Sequence, residues 1–384
     1  LRTDFDFDET IDRRNTASLK WDRYPDPDII PLWVADMDFA SPPAVIEALH
    51  QRVDHGVFGY PVAPQALVKT VVEMLDKAYA WNIEPDWIIW LPGLVCGLNV
   101  ACRTAGSPGD DILTAIPVYP PFLSAPPLMG RHLVTVELVQ DKGGWRFDFD
   151  RLMAAITPRT RMFILCNPHN PTGRVYRREE LTELHRILRE RDILICSDEI
   201  HCQLILEPEK RHWPLASLDP AAGNGLITLM APSKTYNLPG LGCSFAVIAE
   251  AALRRKFRRA MQGIVPQVNI MGFAAALAAY QDRSGWLEAL LAYLRQNRDM
   301  VLQAVSRMPG LTVSPVEATY LAWIDTRHSG IDDPVHFFEQ AGVGLSDGRD
   351  FGSPGFVRLN FGCPQGLLQT ALARMQKALD QLIK

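Results

Sequence analysis

Apolar positions change their spacing several times along the chain. Up to about Pro43 they are scattered among prolines and aspartates, the pattern of an extended arm. Ser41-Pro42-Pro43 then supplies a hydroxyl cap and first-turn prolines, and the predicted helix places Val45, Ile46, Leu49 and Val53 on one side. From about residue 88, short apolar runs recur between turn residues: Ile88 to Leu91, Ile112 to Ile116, Met162 to Cys166, Ile193 to Cys196 and Leu226 to Met230. They lack polar alternation, as expected of strands buried on both faces. An amphipathic helix, Glu179 to Glu190, lies between two of them with Leu181, Leu184, Ile187 and Leu188 inward. Strand, helix, strand in this rhythm predicts a parallel α/β sheet.

A long helical pattern follows, Trp286 to Met308, carrying Leu287, Leu290, Leu291, Leu294, Val301 and Val305. The spacing then switches to alternating strands, Tyr320 to Asp325 and Phe356 to Phe361. A closing helix has Leu368, Leu372, Met375, Leu379 and Leu382 inward. The expected organisation is a large α/β domain (46–284) and a smaller α+β domain made from both chain ends (1–45 and 285–384).

Composition narrows the function classes. With 47% hydrophobic and 22% charged residues the chain reads as an ordinary globular protein. Lysine and arginine number 39 against 44 acidic residues, so the basic excess of a nucleic-acid binder is missing. The basic run Leu253 to Arg259 has helical spacing and predicts a solvated helix face. The longest near-apolar run, Phe273 to Tyr280, is too short to span a bilayer, so no membrane partner is expected. Asp4 to Glu9 is acidic and lacks the basic-then-apolar order of a secretory signal. Seven cysteines without a C-x-x-C pair give neither a disulfide framework nor a zinc pattern. The expected compartment is the cytoplasm, with no metal.

Four segments with unusual chemistry follow predicted strand ends, where parallel sheets bind ligands. Ala231-Pro232-Ser233-Lys234-Thr235-Tyr236-Asn237-Leu238-Pro239-Gly240 puts a lysine just beyond a buried strand, either a surface loop lysine or a desolvated nucleophile. In Ser197-Asp198-Glu199-Ile200-His201 the aspartate could cap a helix, join an ion pair or hold a cation in a site. Asn167-Pro168-His169-Asn170-Pro171-Thr172-Gly173 is a rigid turn whose X-Pro bonds are candidates for cis. Pro92-Gly93-Leu94-Val95-Cys96-Gly97 places glycine at a helix start, where backbone N–H groups can receive a phosphate.

Together these segments resemble the fold-type-I pyridoxal-phosphate (PLP) enzymes of the aminotransferase class I/II superfamily. The resemblance rests on Asn-Pro-His-Asn-Pro-Thr-Gly, Ser-Asp-Glu-Ile-His and Ser-Lys-Thr-Tyr-Asn-Leu-Pro-Gly in family order and spacing. It extends from Trp33-Val34-Ala35-Asp36-Met37-Asp38-Phe39 through Phe58-Gly59-Tyr60-Pro61 to Arg358-Leu359-Asn360-Phe361. The implied fold is a large, mostly parallel α/β domain with a smaller α+β domain. The family implies that Lys234 carries the cofactor as a Schiff base and later moves the proton at Cα. Asp198 would pair with the pyridinium nitrogen, and Asn170 would donate to the phenolic oxygen. His201 stands where many relatives use tyrosine for that oxygen. Tyr119 would stack on the ring, while Leu94, Val95 and Ser233 would hold the phosphate. Arg358 would grip the substrate carboxylate, with Asn170 and Ala35 also touching substrate. Tyr60 would reach the neighbouring subunit's phosphate, which implies a homodimer with shared sites.

Two departures narrow the resemblance. Many aminotransferases carry a phosphate-binding arginine where this chain has Gly242, within Gly240-Leu241-Gly242, and a serine where it has Ala231. With His201 and the Trp33–Phe39 arm, these look like the cystathionine β-lyase/C–S lyase branch, in which Gln203 would more usually be aspartate. The implied reaction is α,β-elimination on an S-substituted L-cysteine. The alternatives are an aminotransferase and a sensor domain of a transcription regulator. The residues before the first predicted helix look too few and too acidic for the DNA-binding domain of the latter.

Overall fold

The computed structural model describes residues 5–141, 144–218 and 223–382. Its centre is a seven-stranded sheet in the order 88–91, 244–247, 226–230, 194–198, 160–166, 111–116, 132–137. The pairings from 132–137 through 111–116, 160–166 and 194–198 to 226–230 are all parallel. Ser244–Val247 runs antiparallel to both of its neighbours. All five predicted runs are strands here. The sequence reading missed two others. His132–Glu137 is an edge strand with few buried positions, so its polar residues hide the signal, and Ser244–Val247 is only four residues long.

Helix Arg178–Arg189 buries Leu181, Leu184, Ile187 and Leu188 as its periodicity predicts. Each such side chain contributes about 1.5–3 kcal/mol of transfer free energy. Helix Ala251–Met261 buries Leu253, Phe257 and Ala260 and turns its arginines outward, the solvated basic face expected. No described helix is long and apolar enough to cross a membrane.

Helix Pro43–Asp54 departs from its predicted face. Only Val45 is buried, while Ile46 and Val53 are exposed. The helix packs on Ile270–Gln281 with Leu49 against the core, and Ile46 and Val53 are left uncovered by the described residues.

The second sheet runs 312–313, 321–325, 356–360, 346–347, antiparallel throughout. Every residue of Leu321–Asp325 and Phe356–Asn360 is buried, although alternation suggested one polar face. The alternation is real but its second face does not meet water. Val357 and Leu359 join the same core as Leu290, Leu294, Leu368 and Leu372 from helices Trp286–Val305 and Gln365–Leu382. Trp323 and Phe356 instead pack with Trp145 of the larger part. Leu382, predicted inward, is exposed at the last described turn. The N-terminal arm is tied to this unit by a short parallel pairing of Ile30–Pro31 with Val343–Gly344.

Candidate active site

The carboxyl ends of the parallel strands open into a cavity of about 220 Å³. Its lining includes Ala35, Leu94, Val95, Tyr119, Asn170, Asp198, His201, Ser233 and Lys234. These nine expected residues, spread over some 200 positions of sequence, therefore converge on one place. Phe122, Cys166, Ile200 and Ser244 also line it and were not among the expected site residues. Gln203 lines a separate, wider cleft with Glu73, Lys77, Asp282 and Arg283.

Lys234 follows the Leu226–Met230 strand, and its ammonium donates to the Ala35 carbonyl at 2.5 Å. Burial, then the nearby Arg358 charge, lowers its pKa to about 8. That leaves a sizeable neutral, nucleophilic fraction near physiological pH. Asp198 ends its strand, is 5% exposed, and accepts from the Ile200 N–H at 3.1 Å. Burial raises its pKa to about 7. A cation facing it inside the cavity would restore its charge. His201 is fully enclosed, burial holds it well below the ordinary histidine value, and its Nδ1 has no hydrogen-bond partner among the described residues.

The Asn-Pro-His-Asn-Pro-Thr-Gly turn has both Asn-Pro bonds cis, as does Ile116–Pro117 opposite. The His169 ring reaches the carbonyls of both Cys166 and Pro117, fixing the turn against the next strand end. Asn170 is thereby set beside Arg358, whose Nη1 donates to its Oδ1 at 3.0 Å. The Arg358 Nη2 donates to Trp33 O at 2.7 Å and to Ser346 Oγ at 3.2 Å, and the guanidinium stacks on Phe351. No carboxylate among the described residues pairs with it, and its Nε is unpartnered. Burial brings its pKa down to about 10. A buried guanidinium without a counter-ion is costly, and an incoming carboxylate relieves that cost.

The arm segment Trp33–Phe39 brings Ala35 to the cavity wall and is held by side chains at its carbonyls. Asn360 Nδ2 donates to Val34 O and Asp36 O, both at 2.6 Å, and Asn237 Nδ2 donates to Met37 O and Phe39 O. Buried Lys20 and half-buried Arg13 pair with Asp38 at 2.6 Å each. Sequence reasoning named the arm but not Asn237 or Asn360 as its anchors. Tyr320 was also missed: its hydroxyl donates to Ala35 O at 3.0 Å. Before it stands Thr319 at φ +73, a conformation that costs a β-branched residue about 1–3 kcal/mol. The Arg174–Glu317 ion pair at 2.9 Å and the Gly173 carbonyl, which accepts from Glu317 and Ala318, lock this stretch against the Asn-Pro turn.

Pyridoxal phosphate fits this set of donors. Helix Leu94–Thr104 starts without a side-chain cap, and a Cβ at Gly93 would meet nothing within 4 Å, which leaves an open cradle of N–H groups for a phosphate. Ser233 adds a hydroxyl, and His201, with its unpartnered Nδ1, and Asn170 add polar groups to the same lining. Gly242 explains the missing arginine. At φ +57, with Pro92 O 3.0 Å from its would-be Cβ, the position disfavours any side chain. Tyr60 is the one expected residue not brought here; it is fully exposed, amid exposed Val57, Phe58 and Val62.

Comparison with known proteins agrees with this geometry. The family model "Aminotransferase class I and II" matches residues 27–375. The chain is 35% identical to cystathionine beta-lyase PatB of Bacillus subtilis (strain 168), over 97% of this chain and 100% of PatB. Among solved structures, OvoB superposes with a TM-score of 0.95 at 47% identity, covering 98% of this chain and 99% of OvoB. Cystalysin of Treponema denticola, which contains a pyridoxal 5'-phosphate cofactor, superposes with a TM-score of 0.94 at 32% identity, over 98% and 99%. Sequence motifs, sheet topology and cavity chemistry thus converge: this chain belongs to the aminotransferase class I and II family and is a fold-type-I, pyridoxal-phosphate-dependent enzyme.

Proposed function

We propose that this enzyme is a carbon–sulfur β-lyase that converts an S-substituted L-cysteine and water into a thiol, pyruvate and ammonia. The observation that carries the amino-acid substrate is Arg358: a buried fork of donors, free of any described carboxylate, beside the cavity that holds Lys234. Its planar geometry suits an α-carboxylate. Bound pyridoxal phosphate supplies the electron sink that makes a Cα proton removable. Lys234 anchors the cofactor and, once released by the substrate amine, takes the Cα proton. Asp198 holds the proton on the ring nitrogen, and Asn170 and His201 bind the phenolic oxygen. Tyr119 covers the ring face, while Leu94, Val95 and Ser233 bind the phosphate. Ala35 and Asn170 border the substrate.

Elimination, rather than transamination, is supported by the near full-length similarity to PatB and by Gly242 in place of an arginine. A thiolate leaves readily because thiols are acidic. With L-cystathionine or an S-alkylcysteine, pyruvate and thiol should appear in equal amounts without an added 2-oxo acid. Strict dependence on a 2-oxo acid, with no thiol from any conjugate, would leave an aminotransferase instead.

The same reading makes the active unit a homodimer in which Tyr60 enters the partner's site. The exposed apolar residues Ile46, Val53, Val57, Phe58 and Val62 support it. Mixing inactive Tyr60→Ala and Lys234→Ala proteins should restore up to about a quarter of wild-type activity, since half of the randomly exchanged dimers each regain one intact site. No recovery after verified subunit exchange would remove the shared site.

A further inference from the structure

Lys234 and Tyr320 end on the same atom. The lysine reaches the Ala35 carbonyl from the central sheet at 2.5 Å, and the tyrosine reaches it from the start of Leu321–Asp325 at 3.0 Å. Their approach is built in. Thr319 is the only β-branched residue among the described non-glycine residues with positive φ. Its N–H donates to Leu204 O at 2.9 Å, and its Oγ1 accepts from the Leu321 N–H at 3.1 Å. This held kink directs Tyr320, 1% exposed, edge-on past His201 to Ala35.

We propose that Tyr320 is a positioning residue that lowers the proton affinity of Lys234 by occupying the second lone pair of the Ala35 carbonyl. The inference rests on the reading of Lys234 as the base that takes the Cα proton. A carbonyl oxygen has two acceptor sites. With the phenol on one, its partly positive hydrogen faces the ammonium on the other across a single oxygen, in a poorly screened interior. The ammonium is therefore held less tightly than it would be by the carbonyl alone. Burial pushes the Tyr320 phenol far above its usual value, so it remains a donor throughout the working pH range. The other titratable groups around the pair are Arg358, Asp36, Asp198, His201 and Tyr119. All of them remain when only the phenolic oxygen is removed.

In turnover the Cα–H bond breaks, its proton forms the third N–H bond of Lys234, and the resulting ammonium returns to the Ala35 carbonyl. Only the neutral amine can begin that step, so kcat falls on the acid side as Lys234 becomes protonated. A carbonyl freed of Tyr320 would hold the ammonium more firmly and move that limb to higher pH. In holoenzyme carrying Tyr320→Phe, the acid limb of kcat for an S-alkylcysteine should shift upward by about half a pH unit or more, with KM changed less than twofold. The ring's packing against His201 is kept, so folding is preserved; retained yellow colour and melting temperature check this. A superimposable pH profile, or a uniform drop in kcat with the limb in place, would overturn the inference. Retained turnover in Lys234→Ala would instead overturn the underlying reading of the base.

Discussion

Lys234→Ala should reduce turnover by at least about 10⁴-fold, because one side chain serves as both covalent anchor and general base. The protein should still fold, since Lys234 makes a single described hydrogen bond, to Ala35, and its charged form is disfavoured by burial. The cofactor should bind without forming a yellow, borohydride-reducible adduct. Reduction of the wild-type holoenzyme followed by peptide mapping should place the pyridoxyl group on Lys234 alone. A label on any other lysine would dismantle the site as described.

Arg358→Ala should lower kcat/KM for every amino-acid substrate by about 10²-fold or more, the 2–5 kcal/mol expected when one member of a buried charge pair is removed. Both KM and kcat should suffer, because the carboxylate contact also orients Cα toward the base. Arg358→Lys should recover little. An ammonium supplies a point charge where Asn170, Trp33 and Ser346 hold a planar fork in place. A control separates recognition from collapse: an amine lacking the α-carboxylate should bind wild type and variant equally well. An unchanged KM for S-alkylcysteines in Arg358→Ala would move the carboxylate site elsewhere.

The site also shows why residues with ordinary surface chemistry acquire unusual properties here. Burial disfavours the charged form of Lys234, Asp198, His201 and Arg358 alike, raising the pKa of the acid and lowering those of the three bases, and no described ion pair offsets it. The fold holds ionisable groups ready for partners that a cofactor and a zwitterionic substrate bring. The opposite arrangement holds in the arm, where Asp38 is met by Lys20, Arg13 and the Trp21 indole N–H.

Local sequence determined the elements and the chemistry at their ends. Apolar runs without alternation specified strands buried on both faces, and the 3.6-residue spacing of Leu181, Leu184, Ile187 and Leu188 specified an inward helix face, because both patterns are set by neighbours in the chain. The motifs around Asn170, Asp198 and Lys234 lie directly after such strands, so their convergence followed from parallel topology alone. Covering of surfaces by distant chain could not be read this way. Whether Ile46 and Val53 face a core, or the second face of Phe356–Asn360 meets water, depends on segments hundreds of residues away. Likewise Tyr320 reaches Ala35 across 285 positions, Arg358 reaches Trp33 across 325, and Asn237 reaches Met37 across 200. Periodicity reports which residues share a face; only the tertiary structure decides what that face meets, since burial and hydrogen bonding are properties of the assembled chain.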